Sequence, residues 1–359
     1  MSRKTVPVFF IIFCLSLLSC GEGIVVVSYN VENLFDDRVD GREYPEYRGE
    51  NWNPELYRRK LAVVARAVKA VSVRGPDILC LQEIESRAAL RELRDRHLKG
   101  RGYRYLVFVP QEGVATTVAC LSRLPVVHTY VYGVGSFDGI PLRHILEIQV
   151  EHEGSILYLF NSHWKSKTGG VEHTAEARRR AAEVLAERVR KILQTAPEAD
   201  LLIVGDLNEN LEEYDLAGNR YPTGTVPFGS LEAGGRRPGQ LRYSGSEELN
   251  ALFLTAIQEQ AGLRQDRVVM YEPWYEIPTE QRGSCVYQGQ WQTPDRILLS
   301  AGLFDEEGFT YSPRSFGVVK AGFLLDPDSG FPRRWRPNGR GAESGTSDHL
   351  PLRLTITPR

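Results

Sequence analysis

Short runs of β-branched and aliphatic residues that break off on a polar group constrain this chain most. Ile24–Asn30, Asp77–Glu83 and Leu201–Asp206 are almost wholly apolar inside and end on Asn, Glu or Asp. Runs of this kind read as strands covered on both faces, with a polar residue where the backbone leaves the sheet. Helical stretches separate them. Asn53 caps and Pro54 opens a segment in which Leu56, Leu61, Val64, Ala65, Val68 and Val71 recur with helical period as far as Arg74-Gly75-Pro76. Ser86 caps a second helix to about His97, and the strongest runs from Thr174 to about Gln194. Consecutive strands fill the middle, at Tyr103–Val109, Thr116–Ser122, Val126–Val131, Ile145–Val150 and Ile156–Phe160, and Arg296–Ser300 and Leu350–Ile356 close the set. With no repeat and no Pro/Ser-rich linker, the pattern predicts one layered α/β domain. Leu211–Glu248 and Ser312–Ser347, rich in Gly, Pro and Arg, take no assignment and read as functional loops.

Composition narrows the function classes. Lys+Arg number 44 against 46 Asp+Glu, for a formal charge of -2, so no global basic field advertises nucleic acid and an anionic substrate must be held by local charge. Five Cys in 359 residues are no disulfide scaffold, and Cys80 and Cys120, inside apolar runs, read as small buried hydrophobes. The N-terminus reads as an address. Arg3 and Lys4 precede the apolar run Val6–Leu18, which is shorter than the roughly 20 residues a membrane span needs. Leu17-Leu18-Ser19-Cys20-Gly21 resembles a bacterial lipobox. The expectation is a signal peptide over 1–19, a lipidated Cys20, and a single domain over 20–359 exported to the periplasmic face or cell surface and tied to the membrane by its N-terminal lipid.

The chemistry sits at strand ends. Ser28-Tyr29-Asn30, Gln82-Glu83, Asn161-Ser162-His163, Gly205-Asp206-Leu207-Asn208 and Ser347-Asp348-His349 each place polar groups where a strand stops. Any one alone is a solvated end more often than a site. Together, Glu83, Asp206 and Asp348 with the amide oxygens of Asn30 and Asn208 suit Mg²⁺, with Mn²⁺ or Ca²⁺ as alternatives, because hard cations take carboxylates, amide oxygens and waters. No Cys/His cluster suggests structural zinc. A carboxylate–imidazole pair adds general acid/base catalysis, worth roughly 10²–10⁴-fold. These residues leave the general base open.

In order and spacing, Asn30–Asp36, Gln82-Glu83, Asn161–Lys167, Gly205–Asn208, Asp295-Arg296-Ile297 and Ser347–His349 resemble the endonuclease/exonuclease/phosphatase superfamily over nearly the whole mature chain. The resemblance implies a deoxyribonuclease-I-like fold, a four-layered α/β sandwich of two packed mixed β-sheets flanked by helices. It implies that Asn30 and Glu83 help hold the metal, and that Asp206 and Asn208 position the attacking water and the phosphate. It makes His349 the imidazole on the scissile phosphate, with Asp348 beside it on the metal side and His163 as a second histidine. Asp295 would orient one of the two imidazoles. Arg143 would contact phosphate, as would Lys165 from its own motif. Lys165, Lys167 and Arg178-Arg179-Arg180, and then Arg333, Arg334, Arg336 and Arg340 interleaved with Phe331 and Trp335, suggest a polyanion track, with Tyr271–Tyr275 as a further aromatic platform. The expected activity is metal-dependent phosphodiester hydrolysis, by a nuclease acting on DNA or RNA outside the cytoplasm. A sphingomyelinase-like or inositol-phosphate phosphoesterase is the alternative enzyme, and a non-catalytic surface lipoprotein the alternative class. No protein partner is implied.

Overall fold

Alternate residues along each apolar run enter different cores, and this alternation builds the layers. The structure is a computed structural model describing residues 23–218, 220–228, 251–336 and 345–359. Eight strands carry the argument: β1 (Ile24–Leu34), β2 (Ile78–Ile84), β3 (Thr117–Ser122), β4 (Ile145–His152), β5 (Ser155–His163), β6 (Asp200–Asp206), β7 (Asp295–Leu299) and β8 (Leu352–Pro358). The helices are α1 (Pro54–Ala70), α2 (Arg87–Glu92) and α3 (Val171–Thr195). In one sheet the order is β8-β1-β2-β3, and in the other β7-β6-β5-β4, with shorter strands outside each set. Val26, Ile78, Cys80, Leu202, Val204, Ile297 and Leu354 fill the space between the sheets. Their neighbours Val27, Leu79 and Leu81 pack on Leu61, Val64 and Val68 of α1, while Leu201, Ile203 and Leu298 pack on Leu185 and Val189 of α3. The result is the expected sandwich of helix, sheet, sheet and helix. Cys80 and Cys120 are buried, free and directly opposite across β2 and β3.

Strand direction decides where the polar ends go. β1 and β2 run parallel, as do β5 and β6, whereas β8 is antiparallel to β1 and β7 antiparallel to β6. The carboxyl ends of β1, β2, β5 and β6 therefore share an edge with the starts of β7 and β8. Polar residues distant in sequence meet there.

Most element boundaries fall where the sequence places them. Asn53 Oδ1 accepts from the backbone N–H groups of Glu55 and Leu56 at 3.0 Å each, and Ser86 Oγ accepts from Ala89 at 3.0 Å, caps worth about 1 kcal/mol apiece. β5 differs. It continues to His163, so Asn161, Ser162 and His163 pair with Val204, Gly205 and Asp206 inside the sheet rather than following a strand. Polar residues survive there because they are satisfied: Asn161, fully buried, donates to Leu81 O (3.1 Å) and Ala119 O (2.9 Å) and accepts from Gln82 Nε2 (2.7 Å), crossing between the sheets. Two buried strands, Leu252–Thr255 and Arg267–Tyr271, escaped the sequence reading, being short and without a polar terminus. Of the two unassigned stretches, the described parts hold a short helix, Glu213–Ala217, and the strands Thr225–Pro227 and Gly317–Val318.

Candidate active site

Four non-glycine residues with left-handed backbone turn polar groups into the gap at the shared edge: Glu32 (φ 51°), Asn33 (φ 60°), Glu83 (φ 67°) and Asn208 (φ 53°). Each conformation stores on the order of 1 kcal/mol and persists because the surrounding sheet fixes it. Gly205 has the opposite task. Its φ is +137°, and a Cβ there would lie 1.8 Å from Ser162 O, so only glycine lets β6 deliver Asp206 this close to β5.

Asp206 is the hub. Its Oδ2 accepts from Asn30 Nδ2 at 3.0 Å and lies 3.5 Å from His163 Nε2 and 3.9 Å from His349 Nε2. Its Oδ1 accepts from the Asn208 backbone N–H at 3.0 Å. Glu83 stands across from it: Oε1 is 3.3 Å from Asn30 Nδ2 and 3.9 Å from His163 Nε2, and Oε2 accepts from Asn33 N at 2.8 Å. Asn30 is fixed in this orientation because its Oδ1 accepts from Glu32 N at 3.0 Å. On the far side, His349 Nδ1 is 2.7 Å from Asp295 Oδ2, which also accepts from Ser284 Oγ at 2.5 Å. Asp295 therefore belongs to His349, the choice the sequence left open.

The two imidazoles take different protonation states. His163 is held well below the ordinary histidine value by burial, reinforced by Arg143, His349 and Lys165. It is neutral, and its Nδ1 has no partner. His349 is only partly buried, and the Asp295 carboxylate, helped by Asp206, outweighs that burial and holds it well above its ordinary value as an imidazolium. The Asp206 carboxyl is pushed up to about 6 by burial, against the pull of His349 and with Asp295 adding to the rise. A carboxylate so raised is under-compensated.

That deficit bears on metal binding. Ligand atoms of Asp206, Asp295 and His349 lie within 4.8 Å of one another. The Asp295–His349 bond already occupies two of them, so the trio reads as an oriented imidazole. The oxygens left for a hard cation are those of Asp206 and Glu83, where a positive charge would relieve the buried carboxylate; the residues fit such an ion.

The remaining residues singled out in the sequence surround this centre. Asn208 donates from Nδ2 to Trp164 O at 3.2 Å. Asp348 sits on the rim, its N–H on Glu32 Oε2 (2.9 Å), its Oδ2 3.3 Å from Arg334 Nη2 and its Oδ1 4.0 Å from His349 Nε2. Arg143 donates from Nε to Thr116 O at 3.0 Å, and its charge is felt at His163 and Tyr44. The Lys165 ammonium is pulled down by burial and then by Arg143 and Arg178. Cys20 and Arg340 lie outside the described residues.

The polyanion track is different from expectation. Lys167 is bound to Glu213 at 2.6 Å, Arg178 is fully buried 3.6 Å from Glu209, and Arg179 and Arg180 pair with Glu176. Trp335 packs edge-on against Trp52 beneath the Lys60 ammonium, and Trp274 is fully buried with its indole N–H on Asp295 O. These aromatics are core, and the helix arginines are spent on internal pairs. Sequence reasoning missed Tyr44, whose phenol feels the charges of Arg143 and Glu83, and Ser284, which holds Asp295. Both lie in irregular segments, and no apolar run marks them.

The fold recurs in solved structures. Zebrafish (D. rerio) TDP2 complexed with a single-strand DNA product superposes with a TM-score of 0.52 at 16 % identity, over 94 % of this chain and 99 % of that one. Staphylococcus aureus beta toxin matches at 0.51 and 16 % identity, over 92 % and 99 %, and the mannosyl-6-phosphatase of Bacteroides thetaiotaomicron VPI-5482 at 0.52 and 14 %, over 93 % and 99 %. At these identities the likeness is one of fold. No curated protein sequence matches significantly. Over residues 25–219 the sequence fits the model of the Endonuclease/Exonuclease/phosphatase family, and the chain belongs to that family.

Proposed function

We propose that the chain is a metal-dependent phosphodiesterase that cleaves DNA or RNA outside the cytoplasm. One observation carries the reading: two imidazoles of opposite protonation, His349 on Asp295 and His163 unpaired at Nδ1, converge on a single oxygen of Asp206. Groups whose environments drive their pKa values apart are what acid/base division of labour requires. Asp206, steadied through Oδ1 by Asn208, offers Oδ2 to an attacking water. His349 donates its Nε2 proton toward the phosphoryl or leaving oxygen, and Asp295 keeps that nitrogen protonated and aimed. Neutral His163 donates a hydrogen bond to the phosphate without adding charge, while Arg143 and Lys165 balance the anion. A hard divalent cation, Mg²⁺ first and Mn²⁺ or Ca²⁺ as alternatives, would be held by Glu83 and Asp206, with Asn30, Asn208 and Asp348 around them, and would supply charge neutralisation at the phosphoryl group.

The DNA product in the zebrafish neighbour supports a nucleic-acid substrate. Export and lipid anchoring at Cys20 rest on the N-terminal pattern. A second reading, a small phosphoester, is favoured by the internal pairing of Lys167 and Arg178 to Arg180, which takes basic surface away from a long polyanion. Parallel assays on plasmid DNA, RNA, sphingomyelin and a soluble sugar phosphate separate these. Nicking of nucleic acid is the expected result, and turnover of the sugar phosphate or lipid alone would replace it.

A further inference from the structure

We propose that the loop following β1 holds a second hard divalent cation, of the calcium class, bound by Asp40, Glu43 and Glu85 apart from the Asp206 centre. Ligand oxygens of these three carboxylates lie within 4.8 Å of one another. Glu85 carries the case. It is only 3 % exposed, its Oε2 accepts from Asp36 N at 2.6 Å, and its Oε1 has no hydrogen-bond partner. A buried carboxylate oxygen left without a hydrogen-bond donor is costly, and a cation is a ligand that satisfies it. The charges facing Glu85 are the carboxylates of Asp36, Glu43 and Asp40, all of its own sign, and the Arg42 guanidinium, whose hydrogen bonds go to Asp40 rather than to Glu85.

The loop is otherwise shaped around this point. Glu43 gathers the backbone N–H groups of Asp40 (2.5 Å) and Gly41 (3.0 Å), which brings its carboxylate beside that of Asp40. Half-exposed Arg42 and Arg48 reach Asp40 and Glu43, so four carboxylates, Asp36 included, face two guanidiniums. A cavity of about 420 Å³, lined in part by Arg42, Glu85, Ser86 and Thr116, opens alongside and gives water and ion a route. Two loop carboxylates and one just past the end of β2, with waters completing the shell, suit the larger and geometrically tolerant Ca²⁺ better than octahedral Mg²⁺. The ion would tie the loop to the end of β2. That loop carries Tyr44, stacked edge-on against Phe35 at 5.5 Å and close enough to feel the charges of Arg143 and Glu83, so the cation would order a segment beside the catalytic gap.

Trp52 provides the reporter, because its indole N–H donates to Asp36 O at 2.6 Å. The full chain is titrated with Tb³⁺, following tryptophan-sensitised luminescence, and Ca²⁺ is added as competitor. The expected result is a saturable signal displaced by Ca²⁺, at least tenfold weaker in affinity in Glu43→Gln and in Asp40→Asn, and retained in Glu83→Gln, which alters only the proposed catalytic ion site. Asp40 is largely exposed, so its variant tests the site without touching the backbone N–H bonds that Glu43 makes in the loop. Absence of a sensitised signal in the wild type, unchanged affinity in Asp40→Asn and Glu43→Gln, or loss in Glu83→Gln alone would overturn the proposal.

Discussion

His163 and His349 share one gap and one carboxylate oxygen, yet burial leaves the first neutral while Asp295 makes the second a cation. The difference lies in a single hydrogen bond of 2.7 Å, so Asp295 is where the account is most exposed at the residue scale. Asp295→Asn keeps a side chain of the same shape but removes the charge, and turnover should fall about 10²–10⁴-fold while the unfolding temperature stays near that of the wild type. A kcat within a few-fold of wild type would show that His349 does not depend on Asp295. Asn161 makes a separate prediction. Truncation to Ala leaves Gln82 Nε2 with only Ser28 Oγ and takes a donor from two carbonyls, at roughly 1–3 kcal/mol for each buried group left unsatisfied, so urea denaturation should show a loss of stability. The site was legible where its residues border apolar runs: Asn30, Glu83 and Asp206 follow them and His349 stands just before one, so each announces itself against β-branched or aliphatic sequence. Tyr44 and Ser284 have no such context. Their roles come from a loop and a turn folding back, which residue spacing does not encode.

At the level of elements, β6 begins on Asp200, whose Oδ2 accepts from Phe309 N at 2.9 Å and so ties one sheet to the edge of the other, while its Oδ1 has no partner. Burial, against the pull of that N–H and with the help of Asp305, pushes its carboxyl up to about 7. Because the folded value is raised above the ordinary 3.8, the folded state holds the proton more tightly than the unfolded chain does. Stability contributed by the neutral form is present below pH 4 and is lost as pH rises through 7. Asp200→Asn, which preserves the acceptor for Phe309, should therefore raise the unfolding temperature more at pH 8 than at pH 5; an equal gain at both would contradict the shift. Elements flanked by caps were readable. α1 and α2 start just after the capping residues the sequence names, β6 ends on the expected carboxylate Asp206, and β2 runs one residue past Glu83 to Ile84. β5 ran longer than predicted because the partner strand satisfies its polar end, and Leu252–Thr255 went unread because four residues carry too little periodicity to separate strand from loop.

Across the whole molecule, charge pairing reshapes the view of the substrate surface. The arginines that open α3 look in sequence like a basic face, but carboxylates one turn away, and a buried one at Glu209, absorb them. Arg180→Ala should accordingly leave the salt dependence of nucleic-acid binding unchanged, whereas Arg143→Ala, beside His163, should weaken binding and flatten the salt slope by about one. Replacing Cys20 by Ser should move the expressed protein from the membrane to the soluble fraction if the N-terminal pattern acts as a lipidation signal. In the proposed function, one gap between the two sheets hydrolyses phosphodiesters with a divalent cation and the Asp295–His349 pair. That chemistry is tested most directly by incubating the chain without residues 1–20 with plasmid DNA and RNA, with Mg²⁺ and with excess chelator, beside His349→Ala. The account predicts nicking that needs the ion and disappears in a folded His349→Ala variant; cleavage that survives either change would contradict it.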